Sequence, residues 1–400
     1  MAERIILHCD LNNFFASVSL LSNRTLYDMP VAVCGSVEAR HGIILAKNEI
    51  AKAAGVKTAE ALWEARLKCP DLVTLAPDYK KYSEYSKKAH AIYERYTDLI
   101  EPFGIDECWL DVTGSTLLFG TGEQIADRIR RDIRTELGIT ASVGVSFNKV
   151  FAKLGSDMKK PDATTVISKE NFKEKVWPLA ASELLFVGKS TAERLRRCGI
   201  ITVGDITECD DKTLLRMLGK NGAQLKKYAL GLDDSPVTPP REDEIPKSIG
   251  KSTTLPHDIT TREEVWETFL SLSEQIADSM RRKGVYASVI TVHTRDTALK
   301  VKETSRTLAL PVCTAMGIAK EGMKIFDETY RFHLPLRSVG LRTGGFKTEN
   351  VAFQQDMFGT AEFDAREEKI ENSVNLVRDR FGRDSVKRGR IIENPDGRKH

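Results

Sequence analysis

Four hundred residues exceed what one core usually organises and set the expectation at about two to four domains of ~100–200 residues each. A hydrophobic share of 41% suffices for packed cores and excludes a disordered chain; no apolar run approaches the roughly 18 residues of a membrane span, and Glu3 and Arg4 lead at once into the first apolar segment with no signal pattern. The net charge is only +3, but it is unevenly spread: residues 281–310 carry seven Lys/Arg against two Asp/Glu, and residues 376–390 six against two, which suits a polyanionic partner better than a uniformly basic surface does.

Along the chain, residues 4–10 read as a buried strand and 12–22 as a helix. PVAVCG (30–35) and GIILAKN (42–48) read as strands, followed by two short helices in IAKAAG and AEALWEARLKCP, the second stopped by Pro70. A longer amphipathic helix is expected over 82–100, a hairpin over 103–113, a helix over 122–137, a strand over 139–146, a helix from Asn148 and a strand over 164–167. Strands interleaved with helices make residues 1–165 an α/β domain. Residues 170–232 are helix-rich and punctuated by glycines, and the Pro- and acid-rich stretch 233–246 reads as a linker. Beyond it the pattern returns to α+β, with strands near 247–255, 285–294 and 336–346 and helices at 261–283 and 314–329. A loop after 350 and a helix over 364–381 close the chain. The seven cysteines (9, 34, 69, 108, 198, 209 and 313) form no CxxC pair, which argues against a zinc cluster or disulfide scaffold and for a reducing, cytoplasmic location.

The densest chemistry lies in FGIDECWLDVT (103–113), where Asp106 and Glu107 stand side by side between two short apolar runs. A further carboxylate, Asp10, ends the first strand. Carboxylates at strand ends far apart in sequence suggest one shared divalent-metal site. Mg²⁺ takes such hard oxygens and commonly binds substrate phosphates as well. That combination points to nucleotidyl transfer with two metal ions.

CDLNNFFASV, AKNEIAKAAGVKT, ALWEARLKCPDL, GIDECWLDVTGS, SVGVSFNKVFAKLGSDMKKP, GLDDSPV and KSIGKSTTL follow in this order along the chain. With these blocks the sequence resembles the Y-family, translesion DNA polymerases of the bacterial DNA polymerase IV type, from about residue 4 to residue 390. The resemblance implies a multidomain α/β and α+β chain shaped as a right hand. It implies a palm (1–19 and 78–165), short fingers (20–77), a helical thumb with a helix-hairpin-helix (166–232), a linker (233–246), a little finger of β-sheet and helices (247–346) and a C-terminal tail (347–400). It implies that Asp10, Asp106 and Glu107, with the Leu11 carbonyl, hold two Mg²⁺ ions, Mn²⁺ being a substitute. Phe15 would be a steric gate against the 2′-hydroxyl, beside Phe14 in the nucleotide site, and Lys52 and Lys160 would reach the triphosphate. DNA contacts would come from Gly188 and Lys189, from a second hairpin at Gly219, Lys220 and Gly222, and from Arg295, Lys300, Lys302 and Arg306. Gln354, Met357 and Phe358 resemble a sliding-clamp peptide. The implied partners are primer-template DNA, dNTP and the clamp, with no membrane and a monomeric state. The implied activity is low-fidelity, template-directed DNA synthesis across damage.

The chain departs from the family pattern at several points. Asp10-Leu11-Asn12 replaces Asp-x-Asp, Ser19 replaces Glu, Gly104 replaces Ser, Glu49 replaces an aromatic and Ala46 replaces a hydroxyl. Two alternatives stay open at this point: a mutagenic polymerase subunit of the UmuC kind that needs accessory proteins, and a non-catalytic DNA-binding paralogue. A nucleotide cyclase would share the metal site but not the thumb-like and little-finger-like segments.

Overall fold

The structure, a computed structural model, describes residues 3–36, 42–241, 244–348, 360–382 and 385–386. These form two compact units, one within residues 3–241 and one from Glu244 onward.

In the first unit β1 (Ile6–Leu11), α1 (Phe14–Leu20), β2 (Val31–Cys34), β3 (Ile44–Lys47), α2 (Glu49–Ala53), α3 (Leu62–Lys68), β4 (Val73–Leu75) and α4 (Tyr79–Tyr93) follow in order, strands interspersed with helices. Next come β5 (Ile100–Pro102), β6 (Glu107–Asp111), α5 (Thr116–Phe119), α6 (Gly122–Asp132), β7 (Ala141–Ser146), α7 (Lys149–Met158) and β8 (Thr164–Ile167). A five-stranded sheet runs β5-β6-β1-β7-β8. β1 lies at its centre, antiparallel to both β6 and β7, and is buried over its whole length. Leu7, Cys9 and Leu11 face one core with α1, α4 and α6, while Ile6 faces Trp109 and Ala152 of α7 on the other side. Burial on both faces explains why the run ILHCDL does not alternate. β2, β3 and β4 make a separate small sheet with its own core of Ala32, Ile44, Val56 and Leu72.

The packing of α7 on the sheet depends on Gly144. A Cβ there would lie 1.8 Å from the Ala152 carbonyl oxygen and 2.5 Å from the Ser156 nitrogen. The bare backbone lets α7 descend onto β7, and Asn148 caps the helix by accepting from the Phe151 N–H at 2.8 Å.

Five helices complete this unit: α8 (Phe172–Val176), α9 (Lys189–Arg197), α10 (Val203–Glu208), α11 (Asp211–Leu218) and α12 (Lys220–Ala229). Their core joins Leu195, Val203, Ile206, Leu214 and Leu225 to Phe151 and Leu154 of α7.

The second unit holds β9 (Ser248–Ile259), α13 (Arg262–Arg281), β10 (Val285–Asp296), β11 (Val301–Val312), α14 (Ala315–Thr329), β12 (Leu336–Thr348) and α15 (Thr360–Phe381). The antiparallel sheet runs β11-β10-β12-β9, leaving β11 and β9 as its margins. Ile290, Val292, Val339 and Leu341 meet Phe269 and Phe326 of α13 and α14 in one core. α15 is tied to the same helices: Glu371 accepts from the Ala315 N–H at 3.0 Å and pairs with Arg281, and Arg378 pairs with Glu274 at 3.1 Å.

Several expectations need correction. The helix expected over 82–100 ends at Tyr93, and Ile100–Pro102 instead enters the sheet as an edge strand, the place where proline's missing N–H costs least. β4 and β11 have no counterpart in the sequence reading. The stretch 233–246 is not a free linker at its start. Ser235 accepts from Arg4 at 2.9 Å, the Thr238 N–H donates to Glu101 at 2.8 Å, and Val237 is buried.

Candidate active site

Asp10 is the fifth residue of β1, directly across from Glu107 at the start of β6 and from Ser142 on β7. Asp106 sits in the turn just before β6, and its carbonyl accepts from the Leu11 N–H at 3.0 Å. Strand pairing therefore gathers the three carboxylates and the Leu11 backbone at one end of the sheet. Gly104, with φ +95°, makes the turn; a Cβ there would lie 3.7 Å from Asp106 Oδ1, so the carboxylate folds back over it.

The electrostatics are those of crowded acids. Burial raises the pKa of Asp10 to about 6, against the opposing pull of Lys160 and with the help of the Glu107 charge. Asp106 is raised too, by burial and then by Glu107. Glu107 goes the other way: burial would raise it, but His8 and Lys153 outweigh that and hold it at about 2. Lys160 Nζ lies 2.6 Å from Asp10 Oδ2 and 2.9 Å from Asp157 Oδ1, and Lys153 pairs with Glu107.

Among the described residues, no three His, Cys, Asp or Glu side chains converge on one point as a ready metal cage. Two ammonium groups, Lys160 and Lys153, hold two of the three carboxylates. The donor set itself, anionic oxygens with like-charge repulsion between them, fits a hard divalent cation.

His8 was not singled out from the sequence, and Asn12 only as the departure from Asp-x-Asp. Asn12 is buried, donates to Ser142 Oγ at 2.9 Å, and accepts from Thr140 at 3.1 Å and from the Asp162 N–H at 2.8 Å. It pins the segment that follows Lys160 to the end of β1. His8 is fully buried between Ser156, whose Oγ is 2.8 Å from Nδ1, and Glu107, whose Oε2 is 3.2 Å from Nε2. Burial lowers its pKa. Its sequence signal is weak, because a histidine inside a buried strand is more often a satisfied core residue.

Phe14 is buried in the sheet core. Phe15 is half-buried, stacked on Tyr82 with ring centroids 4.2 Å apart and set edge-on to Tyr79. Tyr82 is fixed by a 2.7 Å hydrogen bond with Ser19, so the Ser19 departure supplies a partner for this ring. Lys52 is not joined to the carboxylates. Its Nζ lies 3.4 Å from Glu49, which also accepts from Asn13 at 2.8 Å.

Of the hairpin residues, Gly188 caps α9 and is exposed, as is Lys189, and Gly219 precedes α12 with φ +61°. Gly222 does not fit the expectation. Its N–H donates to the Gly219 carbonyl at 3.0 Å, and a Cβ would lie 2.4 Å from the Leu214 carbonyl, so it is a packing glycine.

In the four-stranded sheet the period of two decides which cations face outward. Lys302 and Arg306 pair with Thr294 and Ile290 on the helix-covered face. Lys302 donates to the Thr329 carbonyl at 2.7 Å and Arg306 pairs with Glu328, so both complement the C-terminal end of α14 rather than the open face. This corrects their expected DNA contact. Arg295 falls in the opposite register, with Arg342, Ser252, Thr254 and Gly250 as same-face neighbours across β12 and β9. Arg342 was missed, and the alternation of small and hydroxyl residues in SIGKST was its signal. Lys300 is exposed beside β10. Gln354, Met357 and Phe358 lie outside the described residues.

The impB/mucB/samB family matches residues 9–157, and its C-terminal domain matches residues 246–357. The chain is 46% identical to a DNA polymerase IV of Acetivibrio thermocellus, over 98% of each chain. It is 35% identical to DNA polymerase IV 1 of Bacillus subtilis, over 99% of this chain and 95% of that one. Among solved structures it is similar to a Y-family DNA polymerase chimera, Dbh-Dpo4(243-245)-Dbh, with a TM-score of 0.77 at 23% identity over 86% of this chain and 100% of that one. No helix among the described residues is long and apolar enough to cross a membrane.

Proposed function

We infer the reaction of this protein from one premise: the chain belongs to the Y family of DNA polymerases, of the DNA polymerase IV type. It is a DNA-directed DNA polymerase of the translesion class, with the right-hand fold of that family. The five-stranded sheet is assigned as palm (1–19 and 78–165), the small sheet as fingers (20–77), α8–α12 as thumb (166–232), and the four-stranded sheet with α13 and α14 as little finger (247–346).

One observation carries the finer mechanism: Asp10 faces Glu107 across two paired strands, with Asp106 in the adjoining turn. These three carboxylates and the Leu11 carbonyl are assigned to two divalent ions, Mg²⁺ by the hardness of the donors. Bound there, the ions supply the charge that acidifies the primer 3′-hydroxyl and neutralises the triphosphate and leaving pyrophosphate. Lys160, once released from Asp10, is positioned to meet phosphate oxygens as a compact cation. The Phe15 ring, held by Tyr82, closes the space a 2′-hydroxyl would need. Low fidelity follows from a small fingers sheet of three short strands, which leaves little surface to test the new base pair. Gly188, Lys189, Gly219 and Lys220 are assigned to DNA phosphates through backbone and ammonium groups. Arg295, Lys300 and Arg342 extend that contact from the little finger. The peptide at Gln354, Met357 and Phe358 is assigned to the sliding clamp, and the enzyme acts as a monomer in the cytoplasm.

Extension of a labelled primer with a single dNTP and Mg²⁺ tests this reading. Wild type is expected to extend and Asp106→Ala to give no product while still binding the primer-template. A folded wild type that binds DNA and never extends it, with or without clamp, would overturn catalysis in favour of the accessory-dependent or non-catalytic alternative.

A further inference from the structure

The helical segment α8–α12 holds an aromatic ring that its own core does not use. Phe186 lies in the turn before α9, at φ +69° and 67% exposed. A side chain in that left-handed region carries strain that glycine would escape, and an apolar ring in water adds nothing to folding. The ring leans toward Tyr228, with centroids 6.0 Å apart and planes 33° off parallel, and Tyr228 is itself half-buried and hydrogen-bonded with Gln224. With Arg194 of α9 and Leu218 and Asn221 at the corner of α11 and α12, these residues line a cleft of about 320 Å³. Among the described residues no acid lines it. Arg194 is exposed, and the carboxylate beside it on α9, Glu193, is taken by Arg196 and Arg197. Gly188 and Lys189 follow Phe186 directly, and Gly219 and Lys220 stand between Leu218 and Asn221, so both hairpins border the cleft.

An open aromatic face beside a guanidinium, with no carboxylate around them, selects an anion that carries a flat apolar part, which is the chemistry of a nucleotide. In an intact duplex each base is covered by its neighbours, so only an unpaired or extruded base can lie on a protein ring. The volume is at the low end for small-ligand sites and suits a single nucleotide, not a duplex. We propose that this cleft binds one unpaired nucleotide of a DNA strand, its base on the open face of Phe186 and its phosphate at Arg194. The inference rests on the reading that the hairpins at Gly188 and Gly219 meet DNA phosphates, and it adds a base site to them. Damaged and mismatched bases leave the stack at the least cost, so the substrate of a translesion enzyme supplies such nucleotides. Stacking uses the π-face that every base has, so the site is tolerant of sequence.

The probe is a labelled oligothymidylate of about six nucleotides with one 5-iododeoxyuridine, mixed with the full chain. Irradiation joins the halogenated base to an aromatic ring stacked on it, and mass spectrometry of the wild type identifies that ring with no variant needed. The crosslink is expected at Phe186; crosslinks found only outside this cleft overturn the proposal. Fluorescence anisotropy of the same oligomer gives its affinity. Phe186→Leu keeps apolar bulk and the same backbone demand but has no π-face, and it is expected to weaken binding about 10-fold, whereas Phe186→Trp should stay within about twofold of wild type. Leucine binding as tightly as phenylalanine overturns stacking and is what a groove for an apolar peptide would give. A loss in Phe186→Trp as large as in Phe186→Leu also overturns it, since the turn and not the ring would then be what the oligomer senses. Lys189→Ala combined with Lys220→Ala separates the two levels: if the pair leaves oligomer affinity unchanged while Phe186→Leu lowers it, the assignment of the hairpins to phosphates has failed, not the base site.

Discussion

At the scale of single residues, the site is held by groups that do no chemistry. Asn12 makes three hydrogen bonds from a buried amide. Asn12→Ala strands the Asp162 N–H and takes a donor from the Ser142 oxygen, and is expected to cost about 1–3 kcal/mol, the penalty of an unmatched buried polar group; an unchanged urea midpoint would refute the pinning role. Ala59 shows the opposite case. It sits at φ +67° with its N–H bonded to the Ile44 carbonyl at 2.8 Å. A left-handed alanine carries strain of roughly 1–2 kcal/mol, and glycine adds back up to about 1 kcal/mol of chain entropy. Ala59→Gly should therefore raise the melting temperature slightly, and a clear fall would show that its Cβ makes contacts worth more than the strain. The three carboxylates stood out in the sequence because Asp10 closes an apolar strand and Asp106–Glu107 interrupt two. The partners were not: Lys160 meets Asp10 from 150 positions away and Ser156 meets His8 from 148, and nothing local announces either meeting.

At the scale of elements, α7 against β7 is the joint on which the site depends. Gly144→Ala drives a methyl into the Ala152 carbonyl and must lift the helix, at an expected cost of about 3 kcal/mol, the upper part of the range for overpacking. Because α7 carries Ser156 and Lys153, Mn²⁺ affinity should change along with stability. A variant that loses stability and binds Mn²⁺ normally would separate the joint from the site. Most elements could be read from periodicity, and those that could not have identifiable reasons. β11 reads KETSRTLALP, charged on a margin that water reaches from both sides, so it lacks the apolar alternation of an interior strand. The sequence of α4 (Tyr79–Tyr93) keeps a helical pattern past its real end, and only Thr97-Asp98 and the edge-strand proline at 102 mark the change.

At the scale of the whole molecule, two separately cored units divide the work, and the sheet register of the second sorts its cations. Arg342→Ala should weaken primer-template binding and lower the slope of log affinity against log salt by about one. Lys302→Ala should leave that slope unchanged and instead lower thermal stability, since its ammonium ends on the Thr329 carbonyl. Equal slopes for Arg342→Ala and wild type would remove the open face from the DNA contact. From sequence alone all four cations of this region looked equivalent, because charge counts do not carry the parity of a strand.

The margins of that same sheet have a consequence for crowding. A strand with unmatched N–H and C=O groups along its side invites another chain to pair with it. β11 carries Lys302, Glu303 and Arg306 and ends near Pro311, and β9 carries Lys251 and Pro256. Charge repels an incoming strand, and proline removes the donor it would need. Sheet-to-sheet pairing between copies is thereby disfavoured at both margins.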